Sequence, residues 1–305
     1  MTDTATDTPS PEDLAAGLVR LLSVTPSGDD AFTAPQQPGG IGRVFGGQVV
    51  AQGLQAAQAS APAGMEAHSL HAYFLRGGRE GTNIGYQVAS DFTGRSFANR
   101  RVVARQGDEP ILNLTASFQR PEDGLAHEDS PMPDVAPPED LASDMEMRRQ
   151  FLGQMDEVSD TQRALMMRPR PIEMRTSGKL HWMNAQPRAP HAHSWFRVVA
   201  PLPDDAALHR AIMAYASDYT LLGTSALPHG LSWARGELKG ASLDHAIWFH
   251  LRALEDWRAD DWLLYATDSP WSGGGRGFNR GRIFTRTGKL VASVAQEGVI
   301  RVARH

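Results

Sequence analysis

The chain contains no cysteine. Disulfides, thiolate nucleophiles, iron–sulfur clusters and thiolate zinc sites are excluded together. No apolar run approaches the roughly 18 residues that a membrane-spanning helix needs. The opening residues, MTDTATDTPSPED, have neither the basic nor the apolar region of a secretory signal. The expectation is a cytoplasmic protein without a membrane partner. Positive charge is also in deficit, with Lys+Arg 30 against Asp+Glu 35 and a net charge of -5. That balance argues against broad attraction to nucleic acid, while leaving local arginines to meet a small anion. No GxSxG, P-loop or GxGxxG string occurs, so serine-elbow hydrolases, NTPases and dinucleotide-binding enzymes lack their defining loops.

What is present is 305 residues with 41% hydrophobic composition, enough for about two domains. Pro11–Leu22 reads as a short amphipathic helix. Thr25–Arg43 is rich in proline and glycine and reads as loop, with one short edge strand near Ala31–Ala34. A helix over Arg43–Ser60 follows, whose Gly46-Gly47 start allows close approach of a ligand or a sheet. Strand-like runs come next at His68–Leu75, Ile84–Ser90, Ser96–Gln106 and Ile111–Gln119. Arg120–Asp144 is full of prolines and acids and reads as a linker, followed by one surface helix over Met145–Gln162. Strands at RPIEMR and His193–Pro201 precede the clearest helix, Leu208–Leu222, capped by Pro203-Asp204-Asp205 and stopped by Gly223. Further strands are expected at Leu243–Leu251, Asp261–Asp268, Gly277–Arg286 and Lys289–Val302.

The order helix-then-strands occurs twice, and the sequence carries the repeat. Gly94–Gly107 (GRSFANRRVVARQG) aligns without gaps on Gly275–Gly288 (GRGFNRGRIFTRTG), an offset of 275 − 94 = 181. HAYF at His71 echoes HAIWF at His245. Two fused α+β copies packed as a pseudo-dimer are expected, with domains at 1–120 and 169–305 and a linker and connecting helix at 121–168. The tract Ser272–Arg282 resembles an RGG-type RNA-binding segment, but its alignment to a strand in the first copy reads better as a hairpin. His191-Ala192-His193 is the nearest approach to a metal pair and reads as a surface loop.

Three polar residues stand in apolar second-half elements: Asp218 at the margin of the Leu208 helix, Ser242 at the head of the HAIWFHL strand, and Gln296 within LVASVAQEGVI. Partial burial and the negative end of a helix dipole should both raise the pKa of Asp218. The competing readings are a solvent-facing Asp218, a loop-ending Ser242 and a Gln296 that satisfies a strand neighbour. Taken together they supply an acceptor, a hydroxyl and an amide, able to hold and deprotonate water. Arg43–Met65 contains no Asp or Glu, so only one of two pseudo-equivalent clefts has a carboxylate on its helix.

The strings GGQVVAQGLQAA, HSLHAYFLRGG, LTASFQ, LHRAIMAYASDYTLL, SLDHAIWFH, RGFNRG and LVASVAQEGVIR resemble the acyl-CoA thioesterase II family, in family order from about Gly42 to Arg301. The resemblance implies a double hotdog fold and hydrolysis of acyl-CoA to fatty acid and CoA without a cofactor. It implies a homo-oligomer, a dimer or tetramer of double hotdogs. It also implies a catalytic Asp–Thr/Ser–Gln triad that falls on Asp218, Ser242 and Gln296. Many relatives carry Thr where this chain has Ser242, which keeps the hydroxyl but loses a β-branched residue's stiffness. His71 is an outside candidate for a supporting role. The rivals are a hydratase of the same fold, which needs an Asp–His pair, and a non-catalytic acyl-CoA binding protein. Asp244 and His245, adjacent on a strand, should point to opposite faces and not form that pair.

Overall fold

A computed structural model describes residues 8–37, 42–154, 158–180, 186–233 and 235–303. Residues 1–7 of the acidic start and 38–41 of the Pro/Gly-rich loop lie outside these. The first half contains helices α1 (Pro11–Leu22) and α2 (Gly46–Ser60) and strands β1 (Thr25–Gly28), β2 (Ala31–Ala34), β3 (Glu66–Phe74), β4 (Ile84–Thr93), β5 (Phe97–Gln106) and β6 (Glu109–Gln119). Helices α3 (Asp144–Leu152) and α4 (Asp160–Met167) follow. The second half holds β7 (Ile172–Thr176), β8 (His191–Val198), α5 (Ala206–Ser217), β9 (Leu238–Ser242), β10 (Asp244–Phe249), β11 (Leu263–Gly273), β12 (Arg276–Thr285) and β13 (Leu290–Val302).

All the strands form one 13-stranded sheet, and the two halves meet where β3 pairs antiparallel with β10. The repeated segments become β5 and β12, each leading into an equivalent hairpin. The glycines that close the repeat, Gly107 and Gly288, have φ of 60° and 90°, a region where a side chain is strained. Ser272–Arg282 is the β11–β12 hairpin, as its alignment indicated. Several expectations change. Thr25–Gly28 pairs with β2 and so is strand rather than loop. The single helix expected over Met145–Gln162 is two, each with its own serine capping box, at Ser143 and Ser159. His191 and His193 lie on β8 opposite Asp268 and Ala266, not in a surface loop.

Helix α2 is buried on nearly every face, because it lies between the sheet and α5. Its uncharged composition permits this, and its glutamines must then find partners. Gln52 donates to the Leu21 and Pro35 carbonyls and accepts from the Tyr86 hydroxyl at 2.6 Å. Close approach at Gly47 is to α5 rather than to the sheet: a Cβ there would stand 2.6 Å from the Tyr215 carbonyl oxygen. Helix α5 is capped by Asp205, which accepts from the Ala207 and Leu208 amides. It stops at Ser217, before the expected Gly223, and Leu222–His229 forms a separate 3-10 turn. Arg210 on α5, itself buried, pairs with Glu66 of the first half.

The segment after β6 does more than connect. It runs over the second half's sheet, where Met132, Val135 and Leu141 pack on a cluster of Trp195, Leu264, Ala266 and Phe284. Trp195 donates to the Ala136 carbonyl at 2.9 Å, and Arg286 pairs with Glu139 at 2.7 Å. Prolines suit this role, because a covering segment without ladder bonds would leave its amides unpaired, and proline has no amide hydrogen to satisfy. The strap accounts for burial on both faces at the start of β11.

Candidate active site

Asp218 is the residue that ends α5. Its backbone adopts φ −86° and ψ −5°, and its side chain turns inward with 5% exposure. Burial raises its carboxyl from an ordinary 3.8 to about 6, against the opposing effect of hydrogen bonds from Gln296, the Gly47 amide and Ser242. The solvent-facing alternative is therefore wrong. Two helix termini act on this group with opposite sign. It stands at the negative end of α5, and it accepts from the first turn of α2, whose amides are otherwise uncapped by any side chain. Gly46 makes room for it: a Cβ there would lie 2.9 Å from Asp218 Oδ2.

Gln296, 1% exposed on β13, donates from Nε2 to Asp218 Oδ1 at 2.6 Å and to His245 Nδ1 at 3.1 Å. Both amide hydrogens are thus used, and its Oε1 is buried without a hydrogen-bond partner. Ser242 ends β9 opposite Gly298, so it belongs to a strand of its own rather than to the head of β10. Its hydroxyl reaches Asp218 Oδ1 at 3.5 Å, the longest contact of the set. Two of the three sequence candidates, Gln296 and Ser242, therefore converge on one carboxylate oxygen of the third, Asp218 Oδ1.

His245 was missed by sequence reasoning. It is fully buried, and burial lowers its imidazole to about 4, so it is neutral at physiological pH. With Nδ1 accepting from Gln296, Nε2 carries the hydrogen and donates to Ser217 Oγ at 2.9 Å, which itself donates to the Ala214 carbonyl. Strand alternation was the usable signal, because it sends Asp244 to the other face, where it accepts from the Glu297 amide at 2.6 Å. His71, by contrast, is exposed and packs edge-on against Trp248 with centroids 5.0 Å apart. His71 thus stands on the exposed face of β3 and His245 on the buried face of β10, so the HAYF echo does not carry His71 to the site.

The first half lacks the equivalent groups. Offset 181 sets Asn279 on Ala98. Asn279 pairs with Gln296 on the β12–β13 ladder, and Ala98 pairs with Phe118 on the β5–β6 ladder. The counterpart of Gln296 is a buried phenylalanine.

Asp218 and Ser242 line a cleft of about 840 Å³ between the halves, together with Gln48, Arg43, Arg76 and Arg168. Gln48 is 2% exposed, and its Nε2 has no hydrogen-bond partner. The cleft thus combines a desolvated base, an unpaired donor and several guanidinium groups.

Two helix-wrapped sheet halves, joined edge to edge with a buried acid at their junction, define a double hotdog protein. The comparisons with known proteins agree. Residues 161–299 match the acyl-CoA thioesterase family model, and residues 34–119 match the acyl-CoA thioesterase N-terminal domain. The chain is 36% identical over 289 residues to acyl-CoA thioesterase 2 of Haemophilus influenzae, covering 95% of this chain and 98% of that one. It is 37% identical over 297 residues to human acyl-coenzyme A thioesterase 8, covering 96% and 91%. The crystal structure of an acyl-CoA thioesterase II, TesB2, from Mycobacterium marinum superposes with a TM-score of 0.73 at 35% identity, over 94% of this chain and 98% of that one. The chain belongs to the acyl-CoA thioesterase family.

Proposed function

We propose that the protein hydrolyses acyl-CoA to a free fatty acid and CoA, with Asp218 as general base. The observation that carries this is a buried carboxylate lifted to about 6 in a cleft that also presents arginines. Such a value leaves the group ionised at neutral pH yet basic enough to take a proton. Asp218 removes a proton from water as the oxygen attacks the thioester carbonyl. Gln296 and the Ser242 hydroxyl hold the carboxylate, and His245 holds Gln296. The oxyanion forms against Gln48 Nε2, the donor of the cleft that has no partner of its own. Collapse breaks the C–S bond, and the proton held by Asp218 passes to the departing thiolate. A thiol is acidic enough, with a pKa of about 8.5, to leave without a covalent enzyme intermediate.

The hydratase reading is weaker. His245 Nδ1 lies 3.9 Å from Asp218, but Gln296 bridges the two and His245 does not line the cleft. The division into 1–120, 121–168 and 169–305 belongs to the same proposal, supported by the two family matches, the second of which begins within α4. So do a cytoplasmic location and assembly into dimers or tetramers. No helix among the described residues is long and apolar enough to cross a membrane. The outer face of the central strands exposes Tyr73 and Trp248, apolar surface that a second copy would cover. Thiol release measured across a ladder of acyl-CoA chain lengths tests the activity; absence of release at every length would refute it and favour the binding-protein reading.

A further inference from the structure

Asn279 stands directly opposite Gln296 on the β12–β13 ladder, and both side chains are buried on the same face of the sheet. The other inward residues of β12 around it are Gly277, Gly281 and Ile283. A carboxamide in such a place is costly unless its hydrogen bonds are made. They are not. Its Nδ2 reaches only the Gly277 and Gln296 carbonyls, at 3.4 and 3.5 Å, and its Oδ1 has no partner. Gln296 Oε1 has none either. The hydroxyls described around the pair are engaged elsewhere: Ser225, over Gly277, donates to the Leu222 carbonyl, Tyr265, beside Gly281, to the Ser217 carbonyl, and Ser269 of β11 to the Phe278 carbonyl. Stability of the fold does not explain this amide, because the first copy builds the same hairpin with Ala98 set against Phe118. The asparagine is present where the glutamine is present and absent where it is absent.

Building on the hydrolase reading, we propose that Asn279 is a positioning residue for Gln296, donating from Nδ2 to Gln296 Oε1 so that the Gln296 amide keeps its Nε2 on Asp218. A turn about χ2 of Asn279, a soft torsion, makes this bond. The two ends of a carboxamide have nearly the same shape, and only their hydrogen bonds decide which end faces the carboxylate. His245 does not decide it, because a change of tautomer lets its Nδ1 donate to Oε1 as readily as accept from Nε2, with Ser217 then donating to its Nε2. During turnover Asp218 holds the proton taken from water and becomes a donor itself. A Gln296 free to turn would offer Oε1 to that proton and retain it. With Oε1 engaged by Asn279, only Nε2 faces Asp218, which favours the ionised carboxylate and returns the proton to the departing thiolate. Asn279 does not line the cleft and acts only through Gln296.

Asn279→Leu removes the amide at similar volume, and Asn279→Ala copies the first half. Asn279→Leu should melt no lower than the parent. In both variants the Asp218 carboxyl should rise from about 6 to about 7. With dodecanoyl-CoA, kcat should then fall about tenfold at pH 6 and little at pH 8, with KM within about twofold. A packing defect would lower kcat alike at both pH values and would count against the proposal. In a Gln296→Met background either substitution should lower kcat no further; losses that multiply would overturn it. Thermal unfolding reads the same carboxyl without turnover. The parent's stability levels off above about pH 6, and that of the variants should go on falling to about pH 7, because their folded state holds the proton more tightly. His245 and Tyr265, which face Asp218 from β10 and β11, do not titrate in this window, and α2 brings no titratable group. The arginines of the cleft stay charged, and its Glu80 is common to parent and variants. An unshifted unfolding profile with an unshifted kcat limb would overturn the positioning role and leave the hydrolase standing. A shifted unfolding profile in a protein that releases no thiol from any acyl-CoA would do the reverse.

Discussion

The Gly47 amide of the first half donates to the Asp218 carboxylate of the second. The base is held by a helix that it does not belong to, and its environment depends on how α2 and α5 dock. That makes the site sensitive to changes at positions that carry no chemistry.

Asp218→Asn should fold and lose thioester hydrolysis by about 10²–10⁴-fold, the range for removing a general base. Turnover and thermal unfolding of the same preparation decide it. Near-parental turnover would end the proposed mechanism.

The raised carboxyl also predicts a pH signature. The folded state binds the Asp218 proton more tightly than the unfolded chain, about 6 against 3.8. Stability from this group is therefore lost as pH rises between about 4 and 6, by about 3 kcal/mol, and is level above that. The stability of Asp218→Asn relative to the parent should grow over that window and then stay constant. The kcat of the parent should rise through pH about 6, and Gln296→Glu, by placing a second carboxylate 2.6 Å away, should move that limb to higher pH. An unmoved limb would mean that the limb belongs to another group.

Ser242→Thr should retain or improve activity, because the added methyl restricts the hydroxyl that now stands 3.5 Å from Asp218. Ser242→Ala should lose about tenfold. Equal rates in all three proteins would make Ser242 structural.

Gly46→Ala and Gly47→Ala separate site from scaffold. The first places a Cβ 2.9 Å from Asp218 Oδ2 and from the Phe74 ring, and the second places one 2.6 Å from the Tyr215 carbonyl. Gly46→Ala should cut kcat at least about tenfold at a modest cost in melting temperature. Gly47→Ala, which must push two backbones apart, should destabilise by about 1–3 kcal/mol. The reverse ordering would show that the Gly46 contact does not govern the base.

Much of this was legible in the sequence, for physical reasons. The repeat was readable because equivalent hairpins need the same glycines and inward residues, and Asp218 stood out because a carboxylate beside an apolar stripe is costly. What stayed hidden depends on docking. Ser242 looks like loop because a five-residue strand carries almost no periodicity, and β9 exists only through its pairing with β13. His245 looked like one of several strand histidines, since its burial is set by α5 packing over it. The strap over Trp195 was read as a linker because composition reports an inability to form a core, not the ability to cover one.

The Ala98–Phe118 pair, set against Asn279–Gln296, has a consequence for how such a protein changes over time. In a symmetric homodimer every substitution is made twice, so a mutation that fills one cleft with a phenyl ring fills both and abolishes the enzyme. Joining the copies in one chain removes that constraint. One half is then free to trade reactive side chains for packing, while the other keeps a costly buried acid.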